Sequence, residues 1–360
     1  MKVYKIQRQS AIETIPEGSS VFVGIDMHQR TWHVSIVYDG RIVFSGGMPA
    51  DWTNLQPLLA RYQHCKIHAV YEAGYFGYWL HDQMMRYGVS CSVTPPSLIP
   101  KEVGNRVKTD RIDSQKLALM LSRGMLKEVS VPSLEERAHR EVVRRRNQLV
   151  SDRVRIQLRI KALLRQHHIP FPEIRGAWSK AFVERLHCLE FTDPWLRESF
   201  RNLLAQFGDL SVLLDRQTKL IHELAKLDRY RDQVRILKTI PGIGTLIAME
   251  FLVELQDVRR FESSGRLAAY MGLTPSQHSS GDHIRLGRIT RMGKRHLRGL
   301  LIEASWILIN KDPALGTKYM ALKKGGTGYK KAIVAVARKL VIRMRRVLLD
   351  GTPYIIGKAA

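Results

Sequence analysis

Apolar positions in the first third of the chain fall in short runs with strand periods. Residues 20–28 (SVFVGIDMH) are apolar up to Asp26 and read as a buried strand. Residues 31–38 (TWHVSIVY) alternate with period two, as a half-buried strand does. Asp39-Gly40 is a hairpin turn, and a third strand starts at Arg41. Asp51 caps a helix to about residue 61, and residues 66–73 (KIHAVYEA) form a fourth strand that ends in Glu72. A helix over 75–87, closed by Gly88, leads to a fifth strand at 89–93. Pro95, Pro96 and Pro100 interrupt the chain, and Thr109 or Asp110 then opens a helix to about Ser122, with Gly124 as its stop.

Three hairpin-linked strands followed by alternating helix and strand predict a mixed sheet with helices on its faces. This is the element order of an α/β ribonuclease-H-like domain. After Ser133 glycines nearly vanish and the period becomes helical, with Val150, Val154, Leu158, Ile160 and Leu163 on one stripe. Residues 203–227 repeat the pattern, so two long helices are expected, as an antiparallel coiled-coil arm broken near 169–176. From Leu237 the chain is mainly helical again. Residues 240–244 (IPGIG) lie between two apolar helices, either as a helix-hairpin-helix turn that offers backbone N–H groups to phosphate or as an ordinary αα-hairpin. The expected organisation is a leader at 1–19, the α/β domain at 20–130, a helical coiled-coil region at 131–236, a mainly α domain at 237–312 and a basic tail at 313–360.

Charge narrows the partner. The 360 residues carry 58 Lys and Arg against 33 Asp and Glu, a net +25, while 44% of residues are hydrophobic. A chain that builds real cores and holds this surplus suits a polyanion, above all nucleic acid. Residues 137–165 hold ten bases against two acids. A solvated helix face accounts for such a run, but the imbalance favours a nucleic-acid-facing surface, with Arg144, Arg145 and Arg146 as candidate contacts. Three dispersed cysteines without a CxxC argue against a disulfide framework and against a thiolate zinc site. The first twenty residues have no apolar h-region, and no apolar run is long enough to cross a bilayer, so a cytoplasmic protein is expected.

Four acids carry the candidate chemistry. Asp26 interrupts an apolar strand, and Glu72 ends a second strand that a mixed sheet can set beside it. Asp110 and Asp113, at i and i+3, share one helix face. Any one of them alone reads as a cap or a surface charge. Four meeting together would repel unless a divalent cation neutralised them, and oxygen donors favour Mg²⁺ or Mn²⁺. Such ions serve phosphoryl transfer by clamping attacking and leaving oxygens. Lys108 and Arg111 flank the pair and can contact phosphate.

A second polar segment has Ser279-Ser280-Gly281 followed by Arg285, Arg288, Arg291, Lys294, Arg295 and Arg298, with no acid after Arg285. Cationic surroundings favour a serine alkoxide and the charge that builds on phosphoryl oxygens. A Ser-Gly turn beside a DNA-binding helix is the structural alternative.

GIDMH (24–28), VYEAGYFG (70–77) and KTDRIDSQKLA (108–118) resemble the three blocks of the DEDD domain of IS110-family transposases. IPGIG (240–244), AAYMGLTPSQHSSG (268–281) and GRITRMGKRHLR (287–298) resemble that family's C-terminal transposase domain. The resemblance implies a RuvC-like domain that binds Mg²⁺ (or Mn²⁺) through Asp26, Glu72, Asp110 and Asp113. It implies a catalytic serine before a glycine, which is Ser280, with Ser279 adjacent. It further implies Mg-assisted, serine-mediated transesterification of donor and target DNA, a structured guide RNA, and a homo-oligomer (dimer or tetramer) with composite active sites. The family includes a DNA invertase, so inversion is an alternative to transposition. A hydrolytic junction nuclease using only the acids is a second alternative, and a non-catalytic nucleic-acid-binding protein a third. Tyr75, Phe76, Tyr78, Trp79, Met84 and Met85 at helical spacing are expected in the core, and His167-His168 at a helix end.

Overall fold

The alternation along residues 20–49 folds as the antiparallel half of a five-stranded sheet. A computed structural model describes residues 15–100, 109–173, 176–277, 286–290 and 292–357. Strands β1 (Ser20–Met27), β2 (Thr31–Tyr38) and β3 (Arg41–Pro49) are hairpin-linked. Strand β4 (Lys66–Glu72) runs parallel to β1, and β5 (Ser90–Thr94) runs parallel to β4. The order is β3-β2-β1-β4-β5, the mixed sheet of a ribonuclease-H-like domain. At the tight turn, Asp39 and Gly40 both take positive φ, at 45° and 72°.

The period-two pattern separates the two faces of the sheet. Val21, Val23, Ile25, Trp32, Val34 and Ile36 are buried against α1 (Trp52–Ala60) and α2 (Trp79–Arg86), through Leu55, Leu59, Leu80 and Met84. Phe22, Gly24, Asp26, His33 and Ser35 occupy the alternate positions, facing α3 (Asp110–Ser122). A Cβ on Gly24 would stand 2.2 Å from the Ser114 carbonyl oxygen and 2.5 Å from the Ala118 nitrogen, so only glycine admits this helix here. Buried Ser35 and Ser114 then share a 2.8 Å hydrogen bond between sheet and helix.

Helix α2 starts at Trp79, not at residue 75. Gly74 to Gly77 forms a turn in which the Gly77 N–H donates to the Gly74 carbonyl, and Gly77 adopts φ +67°. The expectation of a six-residue core stripe is corrected accordingly. Met84 is buried, but Tyr75 is 82% exposed, Met85 52% and Trp79 45%. Helical spacing misleads where the helix has not yet begun.

The chain divides into two units, Met1–Val131 and Pro132–Ala360. In the second, α4 (Leu134–Gln166) opens with a Ser133/Glu136 capping box and pairs with α6 (Pro194–Leu224). The pair is antiparallel. Ile156, Ile160 and Leu164 meet Phe200, Leu204 and Phe207 at one end, with Phe182 and Leu186 of α5 (Lys180–His187). Val143 and Ile221 join a larger core at the other end. His167 is the C-cap of α4, and His168 takes φ 55°.

That larger core gathers α7 (Asp228–Leu237), α8 (Thr245–Leu255), α9 (Ser264–Tyr270), α10 (Arg295–Lys311), α11 (Pro313–Lys324) and α12 (Tyr329–Asp350). Strands β6 (Pro275–Gln277) and β7 (Leu286–Ile289) pair antiparallel beside it. Gly242, at φ +89°, turns α7 into α8, and a Cβ there would stand 2.6 Å from the Ala304 carbonyl oxygen of α10. The IPGIG turn thus lets two helices touch. The stretch read as a basic tail forms α11 and α12, whose Ile333, Val336, Leu340, Val341 and Met344 lie inside this core. Its arginines are not all exposed. Arg343 is buried and pairs with buried Asp312 at 2.8 Å, and Tyr354 closes the group by bonding both. No described helix is long and apolar enough to cross a membrane.

Candidate active site

Asp26 is the last α3-facing residue of β1, and its partner across β2 is His33. Parallel pairing of Gly24 with Val70 continues along the strands to set Glu72 beside Asp26 on the same face, at the end of β4. Thr109 caps α3, accepting a hydrogen bond from the Ile112 N–H at 3.3 Å. Asp110 and Asp113 therefore fall in its first turn, where the helix dipole favours negative charge. Sheet and helix bring all four acids to one end of the domain.

His28, two residues beyond Asp26, joins them. Its Nε2 is 3.4 Å from Asp26 Oδ2 and 3.3 Å from Asp110 Oδ1. One donor atom from each of Asp26, His28 and Asp110 lies within 4.8 Å of the others. Cis ligands about 2.1 Å from an octahedral cation sit about 3 Å apart, so this spacing fits a divalent ion. Carboxylates with one imidazole are a donor set that can hold a divalent cation. The block GIDMH contains His28, but its place between the two acids was not anticipated from sequence. The available signal was its i+2 position, which returns a strand-like chain to the same face.

The electrostatics follow from the geometry. Burial pushes the Asp26 carboxyl above its usual range; His28 opposes this, and Asp110 and Asp113 add to it. Burial lowers the His33 imidazole, against Asp110 and with Arg111. His33 is held from behind by Ser45, which also contacts Ser35 and accepts from Gln115 of α3. This polar chain fixes the floor beneath the acids.

Of the expected phosphate contacts near the acids, Arg111 is exposed on α3, and Lys108 lies outside the described residues. On α4, Arg145 is exposed and reaches Gln148, while Arg146 donates to Thr218. Arg144 makes a two-point contact with Glu254 at 2.9 and 3.3 Å. Lys294 binds the same carboxylate at 2.7 Å. Burial would raise Glu254, but the Arg144 hydrogen bond and Lys294 outweigh it and hold the carboxyl below its usual value. One helical turn earlier, Glu250 is also buried; His296 pairs with it at 2.7 Å and Asn147 donates to it. Neither glutamate was singled out in sequence, because LIAMEFLVEL reads as an apolar core helix. Arg288 is exposed on β7, Arg295 is exposed at the start of α10, and Arg298 donates to the Met292 carbonyl. Ser279, Ser280, Arg285 and Arg291 lie outside the described residues; both serines fall in the sequence between β6 and β7.

Two family models match this layout. The IS110 DEDD transposase model covers residues 23–169, and that of the transposase IS116/IS110/IS902 family covers residues 234–320. The y4qE transposase protein of Sinorhizobium fredii is 30% identical over 79% of this chain and 71% of its own length. The chain belongs to the IS110 family of transposases. The transposase for insertion sequence element IS1533 of Leptospira borgpetersenii is 26% identical over 91% of this chain and 95% of its own. The pilin gene-inverting protein of Moraxella lacunata is 26% identical over 93% and 98% respectively. An IS110 transposase cuts and rejoins DNA, so its substrate is DNA.

Proposed function

We propose that this transposase recombines donor and target DNA through a phosphoserine intermediate at Ser280, with Asp26, Glu72, Asp110 and Asp113 as the ligands of Mg²⁺. The observation that carries the reading is the Asp26, His28 and Asp110 donor cluster at the mouth of the sheet, with Glu72 and Asp113 at the same end. A bound divalent cation would supply charge stabilisation to a phosphodiester oxygen. The chain's own groups do the rest. Asp26 and Asp110 orient the site, and His28 keeps their carboxylates together. Ser280 Oγ attacks phosphorus, one bridging P–O bond breaks, and the departing DNA oxygen takes up a proton. The phosphoserine ester conserves the bond energy, and a hydroxyl of the exchanged strand attacks it to rejoin DNA and free the serine. Arg288, Lys294, Arg295 and Arg298 supply positive charge in the serine's domain. A structured guide RNA and assembly into a homo-oligomer belong to the same reading, both supported by the family resemblance and the RNA also by the +25 charge.

The test is trapping. A labelled DNA junction should become linked to a peptide containing Ser280, and Ser280→Ala should abolish linkage and strand exchange while Ser279→Ala retains both. Full strand exchange by Ser280→Ala would overturn the serine chemistry. Cleavage without joining in that variant would favour the hydrolytic nuclease. Inversion by the same chemistry is the second reading, favoured by the near full-length similarity to the pilin gene-inverting protein. Products from a substrate carrying two inverted sites separate inversion from transposition.

A further inference from the structure

The turn after Glu72 carries an aromatic surface that neither the core nor the acid cluster uses. Tyr75 is 82% exposed, the highest value among the described large apolar side chains. Its ring lies against Phe76, with centroids 4.1 Å apart and planes tilted by 33°. The turn is held at both ends. The Gly77 N–H donates to the Gly74 carbonyl, and the Gly77 carbonyl accepts from the hydroxyl of buried Tyr71 at 3.1 Å. The backbone that carries the ring is thus fixed before anything binds, which is how a preorganised contact gains affinity.

Its position selects the occupant. Three Cα steps of 3.8 Å keep Tyr75 within about 11 Å of Glu72, about three rises of a nucleic-acid strand. A flat ring at that distance from the acids, on a chain with a +25 surplus, suits a nucleobase attached to a polyanionic backbone. Fully paired DNA offers no free base face, whereas an unpaired nucleotide offers two. We infer that Tyr75, backed by Phe76, is a stacking platform for an unpaired base flanking the scissile phosphate. This deepens the recombinase reading and rests on it, since it places the base by reference to the acid site.

The test uses the full chain without divalent cation and two synthetic DNA duplexes. One is fully paired, and the other carries a short unpaired run containing 2-aminopurine. The wild type should prefer the looped probe and quench its fluorescence. Tyr75→Ala should weaken looped-probe binding roughly 5- to 140-fold, the conversion of about 1–3 kcal/mol per stacked base. Its affinity for the paired duplex should be unchanged, and its melting temperature should match wild type because the side chain is exposed. Tyr75→Phe should retain preference and quenching, and Tyr75→Leu should lose both. Undiminished preference in Tyr75→Ala overturns the platform and leaves the acid site's role standing. A changed sedimentation coefficient of Tyr75→Ala without DNA assigns the surface to contacts between copies and also overturns it. Failure of the wild type to bind either duplex overturns both readings.

Discussion

Gly24 of β1 sits directly beneath Ser114 of α3, where a Cβ would stand 2.2 Å from the helix's carbonyl oxygen. The obstacle is backbone, so no side-chain rotation relieves it. Gly24→Ala should lift α3 and carry Asp110 and Asp113 away from Asp26. Overpacking of this kind costs about 1–3 kcal/mol. Urea denaturation should show that loss, and strand exchange should fall more steeply than stability does. Wild-type activity in a folded Gly24→Ala variant would contradict the positioning role of α3.

Binding of Mg²⁺ or Mn²⁺ to the native state should raise its melting temperature, by about 2.7 kcal/mol of stabilisation at one hundred times Kd. Asp26→Asn and Asp110→Asn should each abolish the cation-dependent rise and the DNA cleavage together. The readout is calorimetry with and without cation. A persistent rise in both variants would place the ion elsewhere.

Buried Asp312 gives the helical unit an acid-sensitive joint. Burial would raise its carboxyl, but hydrogen bonds from Tyr354 and the Leu315 N–H, with Arg343, hold it below its ordinary value near 3.8. Its stabilising contribution is therefore complete above about pH 4 and is lost as pH falls through the lowered value. Asp312→Ala strands Arg343 in the core and should cost about 3–5 kcal/mol. Denaturation midpoints between pH 2 and 6 should fall steeply in the wild type and less so in the variant.

His296 works in the opposite sense. Its hydrogen bond to Glu250 raises the imidazole above its ordinary value near 6.5, and burial opposes this. Its contribution is full below about pH 6.5 and is lost as pH rises through the raised value. In Glu250→Gln the His296 titration followed by NMR should move down towards pH 6.5. An unmoved titration would break the assignment.

The basic residues of α4 divide into two behaviours. Arg145→Ala should leave stability unchanged and lower the salt dependence of DNA binding by about one counterion. Arg144→Ala should instead destabilise the fold, because it withdraws one of the partners of buried Glu254. Binding measured from 50 to 200 mM salt, beside thermal melts, distinguishes them. A stable Arg144→Ala variant with a reduced salt slope would make Arg144 a DNA contact.

The sheet was legible because its two faces differ in chemistry. Val21, Val23 and Ile25 announce one face, and the break at Asp26 announces the other. The acids were legible because their types and order matched a mixed sheet. His28 was not, since a histidine beside an acid is common and only the approach of α3 brings Asp110 to its second side. Tyr75 was misjudged because periodicity cannot locate a helix start that a turn displaces by four residues. Glu250 and Glu254 were hidden in an apolar run, where their partners from α4 and around the start of α10 are at least 40 residues away in sequence. Local pattern carries no information about such distant charges.

The paired helices α4 and α6 end in separate cores, one at each end. At 1.5 Å per residue, the 33 residues of α4 span about 50 Å. Because each end is independently packed, the pair transmits rotation as a stiff lever does. A swing of about 5° where Val143 meets Ile221 displaces the far cluster around Phe200, about 30 Å away along α6, by about 3 Å, the length of a hydrogen bond. Whatever grips that far end can therefore register small repacking in the core beside Glu250 as a change in its own footing.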